Sequence, residues 1–174
     1  DRQSPDFQNL HRNKRSMTLN LKADDGKEIF RRLVAGADVV VENYRPDVKF
    51  RLGIDYEALL GINSAIILGS ISGFGQDGPY RDYQGDDLIL ASMGGLAYGT
   101  PGFPDETVGG LEEPPLSSAT SVAGFTSGVM AASATFMALL ARLQTGQGHH
   151  VDVSQHATVA ALMTWDVATA SYLG

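Results

Sequence analysis

Apolar and polar residues switch between two spacings along this chain, and the switches lay out a series of strands and helices. Residues 1–11 are polar and lack a period, which reads as a surface arm. Residues 17–21 alternate, the two-residue period of a short strand. Asp25 and Glu28 have the spacing of a capping box. Behind them Ile29, Phe30, Leu33 and Val34 give a helix one apolar face, which Gly36 ends. Val39, Val40 and Val41 form a continuous apolar run, as expected of a strand buried on both faces. The chain breaks at Arg45-Pro46, a short helix follows over residues 56–60, and residues 65–71 form a second buried strand. Strand, helix and strand at this spacing predict an α/β fold whose parallel strands are joined by right-handed crossovers.

Residues 73–85 are glycine-rich and polar, a loop at the carboxyl end of a strand, where open α/β sheets bind ligands. A helix is expected over residues 87–96, and a long Gly- and Pro-rich loop, read as mobile, over residues 99–115. Residues 118–142 have the most regular helical pattern, with Val122, Phe125, Val129, Phe136, Leu139 and Leu143 near helical spacing, and Gly146-Gln147-Gly148 ends it. A short strand over residues 151–153 and a helix over residues 155–170 complete the series, without internal repeats or low-complexity stretches.

Composition narrows the function. The 174 residues fit one domain, and with 43% hydrophobic and 19% charged residues it is globular. A net charge of -7 excludes a general nucleic-acid binder, which needs a basic face. Without cysteine there are no disulfides and no thiolate metal sites. No charged-then-apolar leader opens the chain and no uninterrupted apolar run reaches roughly 18 residues, so the expected setting is cytoplasmic, off the membrane. His149 and His150 are adjacent and so face opposite sides of a strand, and His156 lies on the next helix. No metal site is expected from them.

Four motifs carry chemistry. They are Asn13-Lys14-Arg15-Ser16-Met17-Thr18-Leu19-Asn20-Leu21-Lys22, Ala37-Asp38-Val39-Val40-Val41-Glu42-Asn43-Tyr44-Arg45-Pro46, Ser70-Ile71-Ser72-Gly73-Phe74-Gly75-Gln76-Asp77-Gly78-Pro79-Tyr80, and Arg142-Leu143-Gln144-Thr145-Gly146-Gln147-Gly148. In this order they resemble the family III CoA-transferases, the carnitine/bile-acid type that includes formyl-CoA transferase and the α-methylacyl-CoA racemases. The resemblance implies part of a Rossmann-like large domain with parallel strands and flanking helices. It spans the middle of a family member, with the amino-terminal strand–helix–strand unit and the small domain outside it. It also implies coenzyme A as ligand, acyl-CoA and carboxylic acid substrates, and an interlocked homodimer or a heteromer.

Taken alone, Arg12, Lys14, Arg15 and Lys22 read as a solvated charge run. By resemblance, Leu19 and Lys22 occupy positions that contact CoA. In residues 43–46 an aromatic ring can cover an adenine face and a guanidinium can grip phosphate in a paired hydrogen bond. The resemblance places Asn43, Tyr44, Arg51 and Leu52 against CoA. Asp47 stands where a glycine is usual, and an acid there weakens a phosphate site. The glycine loop matches neither a Walker loop nor a dinucleotide fingerprint and serves as a family marker. Gln84, Asp86 and Asp87 line the family's site. The two acids also read as a helix cap, and Asp86 stands where the racemases carry a histidine base.

The position of the family's nucleophilic aspartate, counted back from the Gly146 motif, is Gly124. Family transferases use that carboxylate to attack an acyl-CoA thioester, and glycine has no group to offer. Asp152 and Asp166 are the nearest acids downstream, and Glu112 and Glu113 lie in the loop upstream. The reading is a CoA-transferase whose nucleophile comes from an aspartate-bearing partner. The alternatives are a racemase-like enzyme and a silent CoA-binding or assembly module.

Overall fold

The computed structural model describes residues 4–100, 114 and 116–173. Three parallel strands, β1 (Val39–Glu42), β2 (Ile67–Ser72) and β3 (His149–Ser154), form one sheet in the order β1-β2-β3. Val39 pairs with Ile67, and Ile67 in turn with His149, so the three strands run in register and their carboxyl ends share one edge. The helices are α1 (Pro5–Leu10), α2 (Asp24–Ala35), α3 (Pro46–Leu52), α4 (Tyr56–Leu60), α5 (Asp87–Met93), α6 (Val122–Thr145), α7 (Gln155–Leu162) and α8 (Thr164–Leu173). The α/β expectation holds, with parallel strands and flanking helices.

Two apolar cores hold the helices to the sheet. In one, Val34 of α2 and Leu59 of α4 meet Ile66 and Leu68 at β2, with Phe30, Val40 and Tyr56 packed against them. In the other, Phe74, Leu90 of α5, Ala123 of α6 and Val159 of α7 meet beyond the strand ends. Strand β2 is buried along most of its length because it lies between β1 and β3. Strand β1 is an edge, and Val41 is 62% exposed, against the expectation of a strand covered on both faces. At Gly148 a Cβ would collide with the Ile66 carbonyl, so the turn into β3 needs glycine.

Several local expectations are corrected. Residues 17–21 form no strand, since no neighbouring strand offers them a ladder. The polar arm contains α1, which Ser4 caps by accepting from the Phe7 N–H at 3.2 Å. Asp25 and Glu28 make no capping box. The helix starts at Asp24 behind Ala23, and both aspartates lie in its first turn, where the helix dipole favours them. Of its apolar face only Phe30 and Val34 turn inward, and Ile29 and Leu33 stay exposed. The break at Arg45-Pro46 leads directly into α3, a helix the apolar pattern did not announce, because proline's fixed φ suits the first helical position. The last helical segment divides at Met163 into α7 and α8. Most of the residue 99–115 loop, with Glu112 and Glu113, lies outside the described residues.

Helix α6 inverts its expected face. It buries the small residues Ala123, Ser127, Ala131 and Ala138. It leaves Phe125, Val129, Met137 and Leu140 exposed, with Phe136 at 68% and Leu143 at 79%. Small side chains let a helix backbone approach its neighbours closely, which large ones prevent. By length and composition alone α6 is apolar enough to cross a bilayer. Arg142 ties its carboxyl end to the sheet, donating to the Ala65 carbonyl at 3.1 Å and pairing with Asp38 at 2.7 Å.

Candidate functional site

The loops that leave β1 and β2 at their carboxyl ends enclose a cleft of about 480 Å³. Its walls are Asn43, Tyr44, Arg45 and Pro46 after β1, Ile71, Ser72 and Gly73 at the end of β2, and Arg81, Tyr83, Gln84, Gly85 and Asp86 from the glycine loop. Ile89 of α5 and Gln155 of α7 close it. Four of the nine residues expected to contact CoA, Asn43, Tyr44, Gln84 and Asp86, therefore meet in one place.

Arg51 and Leu52 lie elsewhere, in a groove of about 200 Å³ with Leu21, Lys27, Phe30, Arg31 and Phe50. Both grooves share α3, whose seven residues separate them by about 9 Å of helix rise. Lys27, Arg31 and Arg51 give the second groove three cations. Asp47 answers one of them, pairing with Arg51 at 3.1 Å. Both side chains are exposed, so the pair is weak and open to competition from phosphate. Leu19, Lys22 and Asp87 line neither groove, and Lys22 is exposed on the stretch before α2.

A buried polar network holds the cleft loops to the sheet. Lys49 of α3 is 2% exposed. Its ammonium donates to Glu42 Oε1 at 3.4 Å, to Ser70 Oγ at 3.2 Å and to Gln76 Oε1. The other Glu42 oxygen accepts from the Tyr44 N–H at 2.8 Å, which fixes the turn carrying the cleft's aromatic ring. Gln76 belongs to the glycine loop, and its N–H donates to Asp152 on β3 at 3.0 Å. Ser70 also lies 2.9 Å from His150 Nε2. Burial, then the Lys49 charge, lowers the His150 pKa from its ordinary value, against smaller opposing effects of Asp152 and Glu42. Glycines 75 and 78, both at positive φ, turn the loop, and Phe74, Tyr80 and Tyr83 pack on each other behind it, with Tyr80 and Tyr83 rings 5.2 Å apart.

Both acids after the loop are caps. Asp86 accepts from the Ile89 N–H at 3.0 Å at the start of α5. Asp87 reaches the start of α6, where it accepts from the Val122 N–H at 3.1 Å, the Gly124 N–H at 3.2 Å and the Ser121 hydroxyl at 2.7 Å. Gly124, the position expected for the family's nucleophile, thus sits on a helix end that Asp87 caps, and Asp87 follows Asp86 of the cleft wall. A Cβ at Gly124 would stand 2.6 Å from Ser121 Oγ. Asp152 holds the glycine loop by accepting from the Gln76 N–H. Among the described residues no His, Asp and Glu cluster could hold a metal ion.

Sequence reasoning passed over Arg81, Tyr83, Gln155 and Lys49. Arg81 carried a signal, a cation in a glycine loop beyond a strand. Lys49 carried none, standing between Val48 and Phe50 on a short helix.

Known proteins are similar to most of this chain. Acetyl-CoA:oxalate CoA-transferase of Acetobacter aceti is 42% identical over 171 residues, which are 94% of this chain and 41% of that protein. The succinyl-CoA–L-malate CoA-transferase beta subunit of Chloroflexus aurantiacus is 36% identical over 148 residues, 85% of this chain and 35% of the subunit. The crystal structure of a CAIB/BAIF family protein from Brucella suis superimposes with a TM-score of 0.82 at 33% identity, covering 92% of this chain and 41% of that one. The chain spans about two fifths of the length of the first of these relatives. Matched along residues 1–174, this chain belongs to CoA-transferase family III.

Proposed function

We propose that this chain supplies the CoA-thioester site of an enzyme that transfers CoA between carboxylic acids, and that the attacking carboxylate comes from an aspartate-bearing partner. The observation that carries the reading is the cleft itself, which gathers Asn43, Tyr44, Gln84 and Asp86 at the strand ends and lies beside the α6 start with Gly124. The Lys27, Arg31 and Arg51 groove suits the nucleotide phosphates, and the cleft, at the other end of α3, suits the thioester. Oxalate, succinate and malate appear in the relatives' names, and all are dicarboxylic acids, which favours a dicarboxylate as one substrate here. The apolar face of α6, exposed among the described residues, and the beta-subunit relative support an assembly, homodimeric or heteromeric. A racemase-like activity is disfavoured because Asp86, its base, is engaged as a helix cap.

The test is exchange of labelled CoA into acetyl-CoA and succinyl-CoA, with CoA binding followed by calorimetry. The chain alone is expected to bind CoA without exchange, and exchange appears when an aspartate-bearing family member is added. Exchange by the chain alone would mean that a nucleophile exists within it. Binding without exchange in any mixture favours a silent CoA-binding module. Failure to bind CoA refutes the reading.

A further inference from the structure

Arg81 is the unexplained group in the cleft. It lies in the glycine loop three residues before Gln84, lines the cleft, and is half-buried. Its Nε is shielded from solvent and has no hydrogen-bond acceptor in the protein, one of two such side-chain atoms among the described residues. The nearest carboxylate, Asp82, stands 3.8 Å from that nitrogen and is 79% exposed, too distant for a hydrogen bond. No hydrogen bond engages the Arg81 side chain among the described residues, so the exposed part of its guanidinium stands on the cleft wall as a cation without an acceptor. A guanidinium presents two parallel N–H bonds along one edge, which matches a carboxylate. The other charges on the cleft wall are Arg45, exposed and without an ion pair among the described residues, and Asp86, held by the Ile89 N–H.

We propose that Arg81 is the specificity residue that holds the spare carboxylate of a dicarboxylic acyl-CoA in this cleft. The inference rests on the CoA-thioester reading above and deepens it. In such a substrate one carboxyl group is joined to CoA and loses its charge, while the other keeps its charge and must be paired once it leaves water. Arg81 meets that need at the thioester end of the site. The CoA phosphates carry similar chemistry, but the second groove already offers them three cations.

The experiment compares binding of CoA, acetyl-CoA and succinyl-CoA by calorimetry to the wild-type chain, Arg81→Gln and Arg81→Lys. Arg81→Gln is expected to lose about 10- to 100-fold in affinity for succinyl-CoA, the range of a charged hydrogen-bond pair, and little for the other two. Arg81→Lys keeps the charge without the fork and falls between. Equal losses for all three ligands would place the guanidinium on a CoA phosphate and overturn the proposal, as would unchanged affinity for succinyl-CoA. Retained CoA binding by Arg81→Gln also shows that the variant is folded. A wild-type chain that binds none of the three refutes the CoA reading itself, a different outcome from loss of discrimination.

Discussion

Lys49→Met tests whether the cleft loops are held by a buried charge network. The substitution nearly matches the lysine in length and removes the ammonium, leaving Glu42 with its side chain 3% exposed. The Glu42 carboxylate then keeps one protein donor, the Tyr44 N–H, while Ser70 and Gln76 lose the donor that joined them. Breaking a buried ion pair from one side costs about 3–5 kcal/mol, because the remaining charge stays in a poor solvent. A chain of this length loses roughly 2–4 °C of Tm per kcal/mol, so a fall of about 6–20 °C is expected in a calorimetric scan. Glu42→Leu combined with Lys49→Met removes both charges and is expected to recover most of that loss. It should not recover CoA affinity, since nothing then orders the Tyr44 turn. A single variant that melts within about 2 °C of wild type would refute the reasoning, as would a double variant no more stable than the single.

Asp87→Ala removes three hydrogen bonds from the first turn of α6 and is expected to cost about 1–2 kcal/mol. Hydrogen exchange checks this, with protection lost at Val122 and Gly124 and kept in the middle of the helix. His150 gives a pH dependence. Its folded pKa lies below the ordinary 6.5, so the unfolded chain takes up the proton first. The stability it contributes is fully present above pH 6.5 and is lost as pH falls through that value towards the folded one. His150→Gln should flatten that part of the Tm against pH curve.

The parallel strands and the helices between them were legible because residues 39–41 and 65–68 are short apolar runs and a stretch with helical spacing precedes the first of them. Which face each helix buries was less legible. In α6 the largest apolar residues suggest the inner face, yet close approach to the sheet selects Ala123, Ser127, Ala131 and Ala138. Apolarity says that a side chain can be buried, and size decides whether its backbone can come close enough. The capping box over Asp25 and Glu28 failed for a related reason: spacing is necessary for a cap, but the chain's path into the helix is set by packing.

The site divided in the same way. Asn43, Tyr44, Gln84 and Asp86 come together because they follow strand ends, a position topology determines. Arg51 and Leu52 follow Asn43 closely in sequence, but α3 intervenes and carries them to the second groove. Lys49 was invisible for a different reason. A lysine on a short helix is usually solvated. Only three acceptors from β1, β2 and the glycine loop, which meet through tertiary folding, make its burial tolerable.

On the proposed reading, Gly124 is more than an absent carboxylate. The first amides of α6 would stabilise a carboxylate, and Asp87 already takes two of them together with the Ser121 hydroxyl. An aspartate at this position would displace Ser121 Oγ, which a Cβ approaches to 2.6 Å, and would bring a second negative charge to the same helix end. Two carboxylates about 4 Å apart repel by roughly 4 kcal/mol near a protein surface. A single Gly124→Asp substitution therefore disturbs the cap as well as adding a carboxylate. It requires a rotation at Ser121, and the cations Arg45 and Arg81 stand on the cleft wall. A carboxylate carried in by a partner avoids these costs, because Asp87 can keep its cap while the partner's acid approaches from the cleft. On the proposed reading, the geometry around Gly124 thus favours a carboxylate supplied by a partner over one introduced within this chain.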